Sequence, residues 1–313
     1  MKWRGILLCT GIAVMATLAG QLIPLIGAAV FSIIMGICVR PFIQMDKINT
    51  GVKFCSKKVL QASIVLMGLT LNFKVVASHG WSSLPLSLST IAAALIAGLI
   101  LGKMLQVKSK LRTLIAVGTA ICGGSAIAAV SPVIEAEDEE IAYAISTIFL
   151  FNILAVFLFP AIGHMLTMSQ ETFGYFAGSA INDTSSVVAA AYTYGPEAGS
   201  TATIVKLLRA LMIVPLCLGI VFINRKSVSV RRIFPWFILY FIIASMIATV
   251  VPIPVALSAA IKQLSLFLIA IAMSAIGLSV DLKQFRKLGY QPVLLGAVLW
   301  FIVTAVSLMI LSK

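Results

Sequence analysis

Apolar stretches of about twenty residues follow one another along this chain, with short polar joins between them. A helix of that length crosses the hydrocarbon core of a bilayer. Roughly eleven such stretches are present. They predict helices over 5–20, 25–39, 55–73, 84–102, 111–134, 140–163, 172–194, 199–223, 233–251, 254–280 and 291–311. Sixty-one per cent of the residues are hydrophobic and 11% are charged, which leaves nothing for a soluble domain. The expected architecture is all-α: one polytopic transmembrane domain over 1–313, with about eleven transmembrane helices.

Twenty-three basic residues stand against 10 acidic ones, a formal net charge of +13. No nucleic-acid-binding motif accompanies that charge, so nucleic acid is not an expected partner. The basic residues fall in joins instead: Arg40, Lys47, Lys53, Lys57 and Lys58; Lys103, Lys108, Lys110 and Arg112; Arg225, Lys226, Arg231 and Arg232; Lys283, Arg286 and Lys287. An eleven-helix count with a cytoplasmic N-terminus puts all four joins inside, as basic loops prefer. It puts the acidic run Glu135–Glu140 outside. The N-terminus (MKWRGILLCTGIAVMATLAG) has a basic start and an apolar run like a signal peptide, but more apolar stretches follow at once. It reads as a retained first helix.

The five cysteines are Cys9, Cys38, Cys55, Cys122 and Cys217. They have no metal-ligand spacing and read as small packing residues. No HExxH, Walker A or Ser/His/Asp pattern is present, so neither a metal nor a cofactor is expected, and no enzyme activity.

Residues 52–81 align without gaps on 261–290. Lys53/Lys262, Ser56/Ser265, Gly68/Gly277, Leu69/Leu278, Lys74/Lys283 and Gly80/Gly289 are identical pairs. By the helix count the two copies run in opposite directions, an inverted repeat of the kind found in secondary transporters. A shorter likeness joins Gly124-Ser-Ala-Ile127 to Gly178-Ser-Ala-Ile181. These two segments share a direction, so either one is re-entrant or the likeness is local convergence.

Both members of that pair carry the candidate chemistry. Adjacent Gly123 and Gly124 weaken a helix and permit an unwound turn, tolerated at membrane depth where it faces protein or water. A half-helix restarting at Ser125 points free N–H groups at the break, an anion site. Close packing through small residues is the plain alternative. Ser179, Asn182, Asp183 and Thr184 form a second break rich in cap and turn residues. Asp183 can cap the following half-helix, pair with a cation, or serve a coupling ion. Lys206 and Arg209 share one helix face three residues apart. Counting 1.5 Å per residue puts Arg209 and Asp183 at similar depth and predicts a contact between them. A purely structural ion pair is the alternative. Ionisable groups at such depth cost about 2.5–3.5 kcal/mol each and mark a site by default.

The runs ICGGSAIAAVSPVIEAEDEEIAYA, GYFAGSAINDTSSVVAAA and VKLLRALMIVPL, in that order, resemble the YeiH-type family of bacterial inner-membrane proteins. That family is labelled as sulfate exporters. It is distantly similar to the superfamily of bile-acid symporters and cation/proton antiporters, with inverted repeats and two broken helices at a midplane site. The resemblance implies substrate binding at Gly123, Gly124, Ser125, Asn182, Thr184, Lys206 and Arg209, with Asp183 beside them. Relatives carry His-Asp-Thr where this chain has Asn182-Asp183-Thr184, and Thr where it has Leu208. The first difference removes a titratable group.

The expected function is a secondary transporter in the plasma membrane. It would export or exchange a small anion, sulfate or an organosulfonate, one helix group moving against the other. The expected partners are the anion, the lipid bilayer and a coupling ion, proton or sodium; a homo-oligomer is compatible. The alternatives are a cation- or proton-coupled symporter of an organic substrate, or a non-transport membrane partner protein.

Overall fold

A computed structural model describes residues 2–22, 27–224, 234–251, 253–280 and 289–312. Most of the described residues are helical, with no strand among them. In chain order the helices are α1 (Lys2–Leu22), α2 (Gly27–Val39), α3 (Asn49–Phe54), α4 (Leu60–Gly68), α5 (Phe73–Ser82), α6 (Leu84–Met104), α7 (Ser109–Ala120) and α8 (Gly124–Val130). There follow α9 (Asp138–Met165), α10 (Gln170–Ala180), α11 (Thr184–Tyr194), α12 (Pro196–Leu211), α13 (Ile213–Asn224), α14 (Trp236–Val250), α15 (Val255–Ser279) and α16 (Tyr290–Leu311).

Six described helices are long and apolar enough to cross a membrane, or seven if Asn49–Gly68 and Phe73–Ser82, bent by 110°, make one span. The sequence predicts about eleven. Part of the difference lies in short helices: Ala28–Phe42 and Trp236–Val250 are apolar but fall below spanning length. Part lies in the breaks. The 111–134 segment is not one helix. It is α7, a turn and α8, and it folds back on itself: Lys110 Nζ donates to the Glu135 carbonyl at 2.7 Å. A straight helix over those residues would hold its ends about 37 Å apart. The segment is therefore a hairpin that returns to where it began. That corrects the prediction that the basic join at 103–112 and the acidic run at 135–140 lie on opposite sides.

Two further joins differ from expectation. Residues 40–58 are not a loop, because helix starts at Asn49 and continues through a π-helical turn, Cys55–Val59, into α4. Lys53, Lys57 and Lys58 thus sit on helix. Residues 74–82 belong to α5. The basic residues at 225–232 and 283–287 lie outside the described residues, as do residues 281–288 of the second repeat copy.

The chain divides into two compact units. One comprises 1–79, 188–199 and 236–281. In it α15 packs against α1, α2 and α4, and α14 against α4. The α2–α15 contact is very close: a Cβ on Gly36 would lie 2.6 Å from the Ser274 carbonyl oxygen. Helices in an apolar setting gain from such backbone proximity. Buried hydroxyls add ties, with Ser265 Oγ donating to the Ser63 carbonyl at 2.7 Å and Ser274 Oγ to the Cys9 carbonyl at 2.8 Å.

The second unit comprises 80–187, 200–235 and 282–313. Here α7 packs between α6 and α9, and α16 runs against α6, α7, α9 and α10. Phe159 stacks on Phe176 and on Trp300 with ring centroids 4.7 and 5.4 Å apart, an apolar clamp on α9, α10 and α16. α9 starts with a reciprocal cap in which the Glu137 N–H donates to Glu140 Oε2 at 3.0 Å. Glu140 is buried. α12 gives way to α13 at Met212. Pro215 has no N–H to offer the Leu211 carbonyl, so the ladder is interrupted there.

Candidate functional site

Two helix breaks and one cationic helix face come together in the second unit. The first break follows α7. Gly123 has φ +65° and ψ −125°, a conformation that side chains with a Cβ rarely adopt. The ladder of α7 has already stopped at Ile121, with φ −119° and ψ −82°, and the carbonyls of Thr119, Ala120 and Ile121 are left without intrahelical donors. The second break follows α10. Ile181 is extended, with φ −82° and ψ 136°, which leaves the carbonyls at the end of α10 in the same position.

Lys206 and Arg209 of α12 bind both ends. Lys206 Nζ donates to the Ile121 carbonyl at 2.7 Å and to the Ile181 carbonyl at 2.8 Å. Arg209 Nε donates to Ala120 at 2.7 Å and Nη2 to Thr119 at 2.9 Å, and Nη1 reaches the Ser179 carbonyl. Both side chains are fully buried. Helix C-termini carry partial negative charge, so two cations there are electrostatically favourable. The approach depends on Gly178, where a Cβ would lie 2.7 Å from Val205 Cβ. α10 and α12 touch because that position has no side chain.

The predicted Asp183–Arg209 contact does not form. Asp183 faces its own helix. Its Oδ1 accepts the Ser186 N–H at 2.8 Å and the Ser185 hydroxyl, and its Oδ2 accepts the Ser186 hydroxyl at 2.8 Å. Asp183 is thus the N-cap of α11, at the positive end of the dipole. The carboxylate thereby takes the Ser186 N–H, a donor that this half-helix start would otherwise offer an anion. The other candidate N-terminus is weak as well, since α8 has only seven residues.

The remaining candidates fall on two sides of these breaks. Gly123 is buried against Asp183, its Cβ position 3.3 Å from Asp183 Cβ and 3.8 Å from Asn152 Nδ2. Gly124, Asp183 and Thr184 are half-buried and Ser125 is exposed. A Cβ on Gly124 would meet nothing within 4 Å. Ser179 takes part through its carbonyl. Its hydroxyl is engaged elsewhere, with the Tyr175 carbonyl at 2.7 Å and Ser307 Oγ at 2.7 Å.

Asn182 is 1% exposed, and neither its Oδ1 nor its Nδ2 has a hydrogen-bond partner. Thr119 Oγ1 and Asn152 Oδ1 are likewise buried and unpartnered. Buried polar atoms are normally paired, because an unmade hydrogen bond costs about 1–3 kcal/mol. These three residues lie on α7, α9 and the second break. Neither Asn152 nor Thr119 is among the candidates read from the sequence. The buried polar residue within an apolar stretch was the available signal for both. Among the described residues, no group of three or more His, Cys, Asp or Glu side chains is placed to hold a metal.

Comparison with known proteins places the chain. The family model described as conserved hypothetical protein 698 matches residues 4–296. A UPF0324 membrane protein of Streptococcus pyogenes is 45% identical, the match covering 98% of this chain and 96% of the relative. UPF0324 membrane proteins of Fusobacterium nucleatum (43%) and Streptococcus agalactiae (44%) match over the same shares of each chain. With its apolar helices, the chain is a multi-pass membrane protein, and it belongs to the family of conserved hypothetical protein 698, the UPF0324 membrane proteins.

Proposed function

We propose that this protein is a secondary transporter that exports or exchanges a small anion across the plasma membrane, with the N-terminus in the cytoplasm. The observation that carries the reading is the charge at the breaks. Two fully buried cations hold five neutral carbonyls, while the neighbouring carboxylate caps a helix. The formal sum of Lys206, Arg209 and Asp183 is +1, in surroundings where charge interacts strongly. An anion offsets that excess. Unpartnered Asn182 beside it supplies a donor for an oxygen of the anion. Sulfate or an organosulfonate is the substrate class carried by the family resemblance, and the repeat at 52–81 and 261–290 fits a transporter built of inverted halves.

In this reading Lys206 and Arg209 act chiefly as a field, since five of their eight N–H groups already have acceptors. Asn182, Thr119 and Asn152 make the direct contacts. Anion binding should raise the unfolding temperature of the purified protein as sulfate replaces chloride at constant ionic strength. The Asn182→Ala variant should lose that rise. No rise with sulfate, a sulfonate or a carboxylate would remove the anion from the account.

A second reading concerns coupling. Asp183 is half-buried and gathers two hydroxyls around its carboxylate. Oxygen-rich surroundings of that kind suit a sodium ion or a proton. Asp183→Asn keeps an oxygen to cap α11 and removes the charge. Loss of gradient dependence with anion binding retained supports coupling there.

A further inference from the structure

Within the unit that holds the N-terminus, α1 meets the helix beginning at Asn49 through two glycines. A Cβ on Gly5 would lie 2.8 Å from Gly51 Cα, and a Cβ on Gly51 would lie 2.8 Å from Gly5 Cα. The backbones touch at this point. Four residues further along each helix stands a cysteine, Cys9 on one and Cys55 on the other. Residues four apart share a helix face, so a crossing at the glycines brings the cysteines opposite each other. The two thiols are neighbours, close enough to interact directly.

Both cysteines are 0% exposed and sit in one apolar cluster with Ile12, Val52, Ala270 and Leu278. Cys55 also opens the π-helical turn Cys55–Val59. Such turns interrupt the α ladder and recur at functional positions. Here the turn loosens the backbone that carries one of two facing thiols.

We propose that Cys9 and Cys55 are a redox modification site, a dithiol that closes to a disulfide tying α1 to the helix over 49–68. The oxidant class is a peroxide, small and neutral enough to reach buried sulfur. One thiol attacks a peroxide oxygen, the O–O bond breaks, and a sulfenic acid and one water form. The second thiol attacks the sulfenic sulfur, the S–S bond forms and a second water leaves. Two thiols are oxidised and one hydrogen peroxide is reduced to two waters. A dithiol reductant restores the thiols by exchange.

The test uses the full chain with Cys38, Cys122 and Cys217 replaced by Ala, which leaves the facing pair alone. After hydrogen peroxide, the protein is denatured and its thiols are counted with a polyethylene-glycol maleimide. The expected count falls from two to none, returns to two with dithiothreitol, and is accompanied by a monomer on a non-reducing gel. Two thiols surviving the peroxide, a loss that dithiothreitol does not reverse, or a disulfide-linked dimer would each overturn the proposal. If the triple replacement fails to fold, Cys38→Ala alone serves. Peroxide treatment and trypsin without reduction should then give the peptide 5–47 joined to 54–57, and both peptides recovered with free thiols would contradict it.

Discussion

Arg209 donates through Nε to the carbonyl of Ala120 at 2.7 Å, and Ala120 is the last residue of α7. A guanidinium eighty-nine positions along the chain therefore finishes a helix that its own sequence cannot finish. The same side chain takes the carbonyls of Thr119 and Ser179, so one residue holds two helix ends together.

Arg209→Ala should accordingly damage folding as well as transport. Each buried carbonyl left without its donor costs about 1–3 kcal/mol, and Arg209 serves three of them. A large fall in unfolding temperature in detergent is the expected result. Arg209→Lys should fall between the two, because one ammonium does not match three separated carbonyls. Wild-type stability in Arg209→Ala would mean that the carbonyls find other donors.

Asn182 should behave in the opposite way. Its amide makes no hydrogen bond, so Asn182→Ala removes nothing the fold uses. Replacing an unpaired buried polar group is close to neutral or stabilising. The variant should fold normally, within about 1 kcal/mol of wild type, and lose anion binding. A drop in stability with binding intact would assign Asn182 to structure.

The two glycines of the first break separate cleanly. Gly123→Ala places a Cβ on a residue with φ +65°, at a cost of about 1–3 kcal/mol, and pushes it toward Asp183. Gly124→Ala meets open space and gains helix propensity, so it should be tolerated or stabilising by up to about 1 kcal/mol. Thermal unfolding of the pair checks the contrast. Equal effects would deny the break its special geometry.

Asp183→Asn should keep most of the stability, since an amide oxygen still accepts the Ser186 N–H. Capping by Asn and Asp is worth about the same. Asp183→Ala should lose about 1 kcal/mol with the cap. The difference between the two variants in flux then isolates the charge from the cap.

Much of this arrangement was readable in the chain. Gly123-Gly124 and the Asn182-Asp183-Thr184 run announce breaks because Gly and cap residues act locally. Lys206 and Arg209 announce themselves because charge is rare in apolar stretches. Their partners did not, because the partners are backbone carbonyls, and a carbonyl freed by a break has no side-chain signature. With only side chains to pair, Asp183 was the nearest candidate for Arg209, and its local capping bonds to Ser185 and Ser186 won instead. The hairpin at 109–135 was legible only as one of two alternatives, a re-entrant segment or local convergence, for a related reason. Apolar content is the same whether a segment crosses or turns back, and the Lys110–Glu135 bond that closes it runs to another carbonyl. Helix existence followed from composition, whereas helix number depended on where short segments end.

Radiolabelled sulfate flux into proteoliposomes of the purified protein, with pH and sodium gradients varied separately, tests the central claim most directly. The account predicts saturable flux that Asn182→Ala abolishes without loss of folded protein, and a gradient dependence that Asp183→Asn removes. The same flux in wild type and in Asn182→Ala would contradict the assignment of the anion to this site. No saturable flux of sulfate, sulfonates or carboxylates under any gradient would contradict anion transport itself.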